Sequence, residues 1–227
     1  MHRARLCNPR GADVVAHRCW YGGRMKLSER FRGYLPVVVD IETGGFDSST
    51  NPLLELACGL LGWQDDAISV AELVSWDISP FPDAIIDPAS LRVTGIDVDD
   101  PQRQAQDEKL VLGEFFKLVR KAMKDNGCHR AIMVAHNASF DHGFLNAACA
   151  RTGIKRSPFH PFSTLDTASL AAVAYGHTVL SEACRRAGLT FDNSQAHSAA
   201  YDTERTAQLF CQMVNGWDYA PALDALE

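Results

Sequence analysis

Residues 35–40 (LPVVVD) form an unbroken apolar run closed by an acid, the pattern of a strand buried on both faces. Residues 53–61 (LLELACGLL), 70–78 and 131–135 (AIMVA) predict three further strands. Prolines at 80, 82 and 88 mark an irregular stretch between the third and the fourth. The period then turns helical. Leu112, Phe115, Phe116 and Val119 share one face over 110–124, and Asn126-Gly127 stops the run. Helices are also predicted over 141–151, closed by Gly153, and over 167–175 and 180–187, closed by Gly176 and Gly188. A last long helix runs from Ser198 to about residue 215. Strands lead and helices dominate the second half, which predicts an α/β chain with a mixed sheet and helices packed on its faces.

With 227 residues, 46% of them apolar, the chain suits one domain with a full core. No apolar run reaches the length of a membrane span, so no membrane partner is expected. The seven cysteines are odd in number, scattered and free of any Cys-x-x-Cys pair. That argues against a zinc site or a disulfide framework and for reduced thiols in a cytoplasmic protein. Residues 1–24 stand apart. Five arginines against Asp13 give them a surplus of four positive charges, leaving −10 for the rest of a chain whose total is −6. They lack a secretory apolar core, and they lack the serines of a transit peptide. Met25 reads as a natural start, so 1–24 is expected to be a disordered extension and 25–227 the folded domain. The acidic total argues against a general nucleic-acid binder. It is compatible with carboxylates gathered around metal ions, which cancel that charge in use.

Three polar clusters stand at the ends of predicted elements. Asp40 and Glu42 lie two apart at the end of the first strand, so their carboxylates project from one face. Side by side they repel unless a cation binds, and oxygen-only ligands favour Mg²⁺ or Mn²⁺. An isolated pair of this kind reads equally as a solvated strand end. The second cluster, His136 to Asp141 (HNASFD), follows AIMVA directly; Asp141 as a helix cap alone would leave His136 and Asn137 unexplained. In the third, His197 precedes Asp202 by five residues, so His197 is expected on the loop before the last helix, leaning over the site. Small Ala199 and Ala200 would let that helix approach the sheet. Two metal ions bridged by Asp40 would suit an in-line displacement at phosphorus, with a histidine to take the proton of the attacking water.

DIET at 40–43, HNxxFD at 136–141 and HxAxxD at 197–202, in that order, resemble the three motifs of the DEDD exonucleases, and the histidine marks the DEDDh branch. The resemblance covers about residues 30–215. It implies a ribonuclease H-like fold, a mixed five-stranded sheet flanked by helices. It implies 3′→5′ exonuclease activity with two Mg²⁺ per subunit, or Mn²⁺ in their place. Asp40, Glu42, Asp141 and Asp202 become metal ligands and His197 the general base. The segments at 31–46, 127–145, 157–171 and 195–207 are similar to members of that branch that trim the 3′ ends of tRNA and other stable RNAs, also attack single-stranded DNA, and work as homodimers.

That closer likeness implies substrate contacts. Phe46, Phe140 and Phe162 match aromatics that hold the terminal bases and disfavour 3′-terminal cytosine, with Asp166 an additional acidic position. Read from the chain alone, Phe140 is as well suited to core packing. Arg30, Arg32, Lys124, Arg130 and Lys155 match a basic patch that grips RNA across the dimer from the partner's active site. The chain departs from the pattern at Val93, where the likeness expects a fourth aromatic, and at Ala89, where it expects a glutamate, so weaker cytosine discrimination is expected. The alternatives are a less selective DEDDh exonuclease of oligoribonuclease or proofreading type, or an inactive RNA-binding module on the same fold. A full set of catalytic residues weighs against the last.

Overall fold

The computed structural model describes residues 26–64 and 67–217, so the extension 1–24 lies outside the described residues. After a short helix α1 (Leu27–Arg30) come three strands, β1 (Tyr34–Thr43), β2 (Leu53–Gln64) and β3 (Ala67–Asp77). Helices α2 (Pro88–Thr94) and α3 (Glu108–Asp125), strand β4 (Arg130–Ala135), helix α4 (Ala138–Thr152) and strand β5 (Phe159–Asp166) follow. Helices α5 (Thr167–Tyr175), α6 (Leu180–Arg186) and α7 (Ala199–Gly216) complete the described chain.

The sheet runs β3-β2-β1-β4-β5. β1 pairs antiparallel with β2, and β2 with β3, whereas β1–β4 and β4–β5 are parallel. Parallel strands need a crossover, and α3 and α4 supply the two connections. The C-terminal ends of β1, β4 and β5 therefore share one rim, where the first two charged motifs emerge. Central β1 and β4 are buried along almost their whole length, which explains their unbroken apolar runs.

α3 buries Leu112, Phe115, Phe116 and Val119, the stripe read from its periodicity. Phe115 and Phe116 meet Phe159 of β5 at ring centroid distances of 5.6 and 6.3 Å. Truncating either phenylalanine would cost about 3–5 kcal/mol. α7 lies against β1, β2 and β3. A Cβ at Gly59 would stand 3.3 Å from Thr203 and 3.4 Å from Val38, so this glycine lets the helix lie close to the strand. Of the two alanines expected to permit that approach, Ala199 is buried and Ala200 faces solvent; Thr203, Thr206 and Ala207 complete the packed face.

Three elements go beyond the sequence pattern: the single-turn α1, which precedes the regular pattern, β5 and α2. β5 is masked by Pro161 and by its polar residues, because it is an edge strand that needs no apolar run. α2 lies in the stretch read as irregular. Its signals are nonetheless ordinary: Asp87 accepts the Ala89 N–H as N-cap, Pro88 opens the helix, and Gly95 closes it in a left-handed conformation.

Candidate active site

The sheet carries β1 past Asp40 to Thr43, because Ala57 and Glu55 of β2 pair with Asp40 and Glu42. Both acids thus sit within the strand, on the face that bears Val38 and α7. Glu42 is buried and Asp40 half-buried. Asp141 arrives from β4. Asn137 adopts a left-handed φ of 70° and starts α4 three residues before the helix predicted over 141–151. Asp141 is therefore not the N-cap, a place Asn137 takes; it sits in the first turn, 3% exposed, beside Asp40. Asp202 holds the same place in α7. His197 precedes that helix with φ 65°, exposed, as the spacing predicts. Its backbone N–H donates to Asp202 Oδ2 at 3.0 Å.

These carboxylates strain against one another. Burial and the charges of Asp202, Glu55 and Asp141 push Glu42 up to about 8. Burial pushes Asp141 up to about 7, against the pull of its own amide and that of Ile41. Asp40 is raised well above the carboxylate range by burial and by Asp141, Glu42, Asp202 and Glu55. Burial raises Asp202 too, opposed by the His197 amide and ring. Such a cluster is stable in its ionised form only around a cation.

The residues present fit one. Glu42, His197 and Asp202 each bring a ligand atom to within 4.8 Å of the other two. Asp202 Oδ1 is buried and has no hydrogen-bond partner among the described residues. With Asp40 and Asp141 alongside, the set is rich in oxygen, as hard divalent ions require.

His136 has a different task. Its Nδ1 lies 2.9 Å from Thr167 Oγ1 and its Nε2 2.7 Å from the Thr178 carbonyl. Burial lowers its pKa, and its Nε2–H donates to the Thr178 carbonyl, while the Thr167 hydroxyl beside Nδ1 donates to the Ala135 carbonyl at 3.2 Å. It braces β4 to α5 and to the loop before α6. Asp166, at the end of β5, accepts the amides of Asn137 (2.9 Å), Ala138 (3.3 Å), Ala168 (3.3 Å) and Ser169 (3.2 Å), together with the Ser169 hydroxyl. Burial acts to raise this group, but the Ser169 hydroxyl and these amides outweigh it and hold the carboxyl low. Asp166 is thus committed to fastening the starts of α4 and α5.

Phe46 and Phe162 stand 85% and 81% exposed, and half-buried Phe140 lies 6.2 Å from Phe46 in edge contact. Phe140 also packs on Phe144 at 4.9 Å, which joins it to the core. The Phe46 loop is anchored at its base. Arg151 of α4 donates to the Ser48 carbonyl at 3.4 Å, pairs with Glu108 at 2.7 Å, and lies 3.9 Å over the Phe81 ring. Phe162 is held by its neighbour: His160 Nδ1 accepts the Ser163 N–H at 2.9 Å, and its ring meets Phe162 edge-on at 4.5 Å. Ala89 and Val93 lie one turn apart on the exposed face of α2. The Asp87 N–H, just before that helix, donates to the Gly44 carbonyl at 2.7 Å, which ties α2 to the strand end before Phe46.

Arg32, Arg130 and Lys155 precede or open β1, β4 and β5, while Lys124 ends α3 and Arg30 ends α1. All five therefore occupy the rim opposite the carboxylates. From Tyr34, which pairs with Arg130, to Glu42 is about 27 Å along β1. Glu55 is what the sequence reading missed. It is the one acid in the apolar run of β2, and that was its signal. Among the described residues no helix is long and apolar enough to cross a membrane.

The profile of the RNase_T exonuclease family matches residues 37–210. The chain is 56% identical over 192 residues to the ribonuclease T of Hahella chejuensis, covering 84% of this chain and 88% of that protein. It is 55% identical over 193 residues to that of Shewanella frigidimarina, covering 85% and 87%. Among solved structures, a 3′-exonuclease recognising a histone mRNA stem-loop aligns with TM-score 0.63 at 16% identity, over 79% of this chain and 63% of that one. E. coli exonuclease I with a dT13 oligonucleotide aligns with TM-score 0.62 at 16% identity, over 81% of this chain. This chain spans 41% of that enzyme's length. The fold is ribonuclease H-like, as these structural neighbours show.

Proposed function

Because the chain belongs to the ribonuclease T exonuclease family and is a 3′→5′ exonuclease, we propose that it trims single-stranded 3′ ends of tRNA and other stable RNAs, and of single-stranded DNA, releasing nucleoside 5′-monophosphates. The observation that carries this reading is the convergence of Asp40, Glu42, Asp141 and Asp202, from three separate elements, with His197 at their edge. The four carboxylates would hold two Mg²⁺ per subunit, or Mn²⁺ in their place, and the ions would supply charge for a displacement at phosphorus. His197 takes a proton from the attacking water. The oxygen of the water bonds to phosphorus, the 3′ oxygen of the next nucleotide leaves, and a solvent proton completes it. Asp166 acts on the substrate at one remove, by fixing the start of the helix that carries Phe140 and Asp141.

Phe46, Phe140 and Phe162 stack on the terminal bases, each worth about 1–3 kcal/mol. Arg30, Arg32, Lys124, Arg130 and Lys155 grip the RNA further back. Their place on the far rim supports a homodimer in which each patch serves the partner's site, since one subunit separates grip and chemistry by about 27 Å. The domain is residues 25–227, and the compartment is the cytoplasm, in keeping with the five described cysteines, which are all free. With Ala89 and Val93 in place of a glutamate and an aromatic, cytosine discrimination is weaker than the family pattern implies.

The test is a set of 5′-labelled single-stranded RNAs differing in their last two bases, incubated with Mg²⁺ and resolved by length. Ladders shortening from the 3′ end, with modest slowing at cytosine, are expected. Tight binding without shortening in Mg²⁺ or Mn²⁺ would overturn the catalytic reading. A full stop at cytosine would overturn the role given to Ala89 and Val93.

A further inference from the structure

Helix α7 presents its first turn to the site with little local help. The leading N–H groups of a helix lack intrahelical acceptors. Ser198 holds the N-cap position, yet its side chain makes no capping hydrogen bond. His197, immediately before it, sits in a left-handed conformation that L-residues adopt at a cost of roughly 1 kcal/mol or more. Such a start has to be held from outside.

The holder is on another strand. The Ala199 N–H, first in the helix, donates to Glu55 Oε2 at 3.1 Å, from a residue 144 positions earlier. Glu55 pairs directly with Glu42 across β1 and β2, so it points to the same face as the two acids of β1. That location is unfavourable for a further carboxylate. Burial raises its pKa, and its charge helps to raise those of Asp40 and Glu42. A strand acid placed there against electrostatic cost needs a compensating contact, and the helix amide is the hydrogen bond it makes. A second support stands behind it: Arg103 donates to the carbonyls of Leu54 and Ile78, lies 3.5 Å from Asp77, and favours the charged form of Glu55.

We infer that Glu55 is a positioning residue that pins the first turn of α7 to β2 through the Ala199 amide, so that His197 and Asp202 meet Glu42 in register. It acts through the helix and neither touches substrate nor completes the ligand set. The inference rests on the roles proposed for His197 and Asp202.

Two replacements separate this role from an electrostatic one. Glu55→Gln keeps a carbonyl acceptor at the same reach and removes the charge. Glu55→Met keeps the length and removes the acceptor. In Mg²⁺, Glu55→Met should lose about 10–100-fold in kcat, the usual range for a residue supporting a metal site, with KM for RNA changed less than about threefold. Glu55→Gln should stay within about fivefold of the parent in kcat and keep its pH–rate profile and its Mn²⁺ affinity by calorimetry. Ala199→Pro removes the donor at a helix position that tolerates proline. Combined with Glu55→Met it should add less than about twofold to the loss, because both changes delete one bond.

If Glu55→Gln falls as far as Glu55→Met, or loses Mn²⁺ affinity, the carboxylate acts by charge or as a ligand, and the inference is overturned. Parent-like kcat in Glu55→Met overturns it as well, as does a multiplicative loss in the double variant. Should Glu55→Met not fold by circular dichroism, Ala199→Pro carries the same comparison against Glu55→Gln. Asp202→Asn and His197→Ala test the underlying roles. Full activity in either removes the site assignment itself, whereas their expected inactivity beside an indifferent Glu55 removes only this inference.

Discussion

Helices α4 and α7 deliver the last two carboxylates in matching fashion. Asp141 and Asp202 are each the fourth residue of their helix, and a non-glycine residue in left-handed conformation stands just ahead, Asn137 at φ 70° and His197 at φ 65°. They differ in what restrains that residue. The Asn137 amide donates to Asp166, an acid of a neighbouring strand outside the proposed ligand set. The His197 amide donates to Asp202, a member of that set. The start of α4 is thus settled when the chain folds; Glu55 holds the first turn of α7 in the same way, but His197 ahead of it is coupled to whatever binds Asp202. The proposed base sits on the coupled side.

The largest effects should come from the two matched acids. Asp141→Asn and Asp202→Asn each remove a charge from the cluster, and each should lower kcat by about 10²–10³-fold or more in single-turnover assays. Parent-like turnover in one but not the other would show that the two helices do not contribute equivalent ligands. Next comes the α4 fastening: Asp166→Ala should lower kcat by about 10–100-fold and destabilise the fold by roughly 2 kcal/mol, read by urea denaturation. A loss of activity without loss of stability would contradict its fastening role. α4 also carries Phe140, which meets Phe46 in the proposed stacking surface, so Phe46→Ala should raise KM about tenfold with kcat nearly unchanged.

Metal and pH probe the coupling itself. Glu42 and Asp141 titrate at about 8 and about 7 in the metal-free fold, above their unfolded values. Raised acids stabilise the fold while protonated. Metal-free stability is therefore fully present below about pH 4 and is lost as pH climbs through about 7 and 8. Mg²⁺ needs the ionised forms, so it should raise Tm more at about pH 8.5 than at about pH 5.5. In hydrogen exchange it should slow amides 197–199 more than 137–139, and equal slowing would remove the distinction between the helices. The smallest effects belong to the far rim. Arg130→Ala and Lys155→Ala should each raise KM about twofold to threefold and lower the salt slope of binding by about one, leaving both helix starts untouched.

How legible was this in the sequence? Asp40, Glu42, Asp141, His197 and Asp202 announced themselves because each follows or joins a strongly periodic element. The buried strands β1 and β4 did so for the same reason. β5 was hidden because an edge strand with Pro161 carries no apolar run, and α2 because three prolines outweighed its cap signals. Asp166 could be matched as an acidic position, but its partners lie 28 and 29 residues away at another strand's end. Glu55 was harder still, since its meaning depends on an amide 144 residues distant. Periodicity reports which face a residue shows, not which partner waits there.

If Phe46 and Phe162 stack on terminal bases as proposed, their anchoring has a thermodynamic consequence. An exposed aromatic on a loose loop would lose rotational freedom each time a base stacked on it. Here Arg151 fixes the base of the Phe46 loop and His160 fixes the stretch of β5 around Phe162. The entropy of ordering these segments is lost once, at folding, and not again with each nucleotide removed. An enzyme that must rebind a new terminal base after every cleavage gains from that at each cycle. Loosening either anchor should therefore weaken binding chiefly through entropy, with the stacking enthalpy retained.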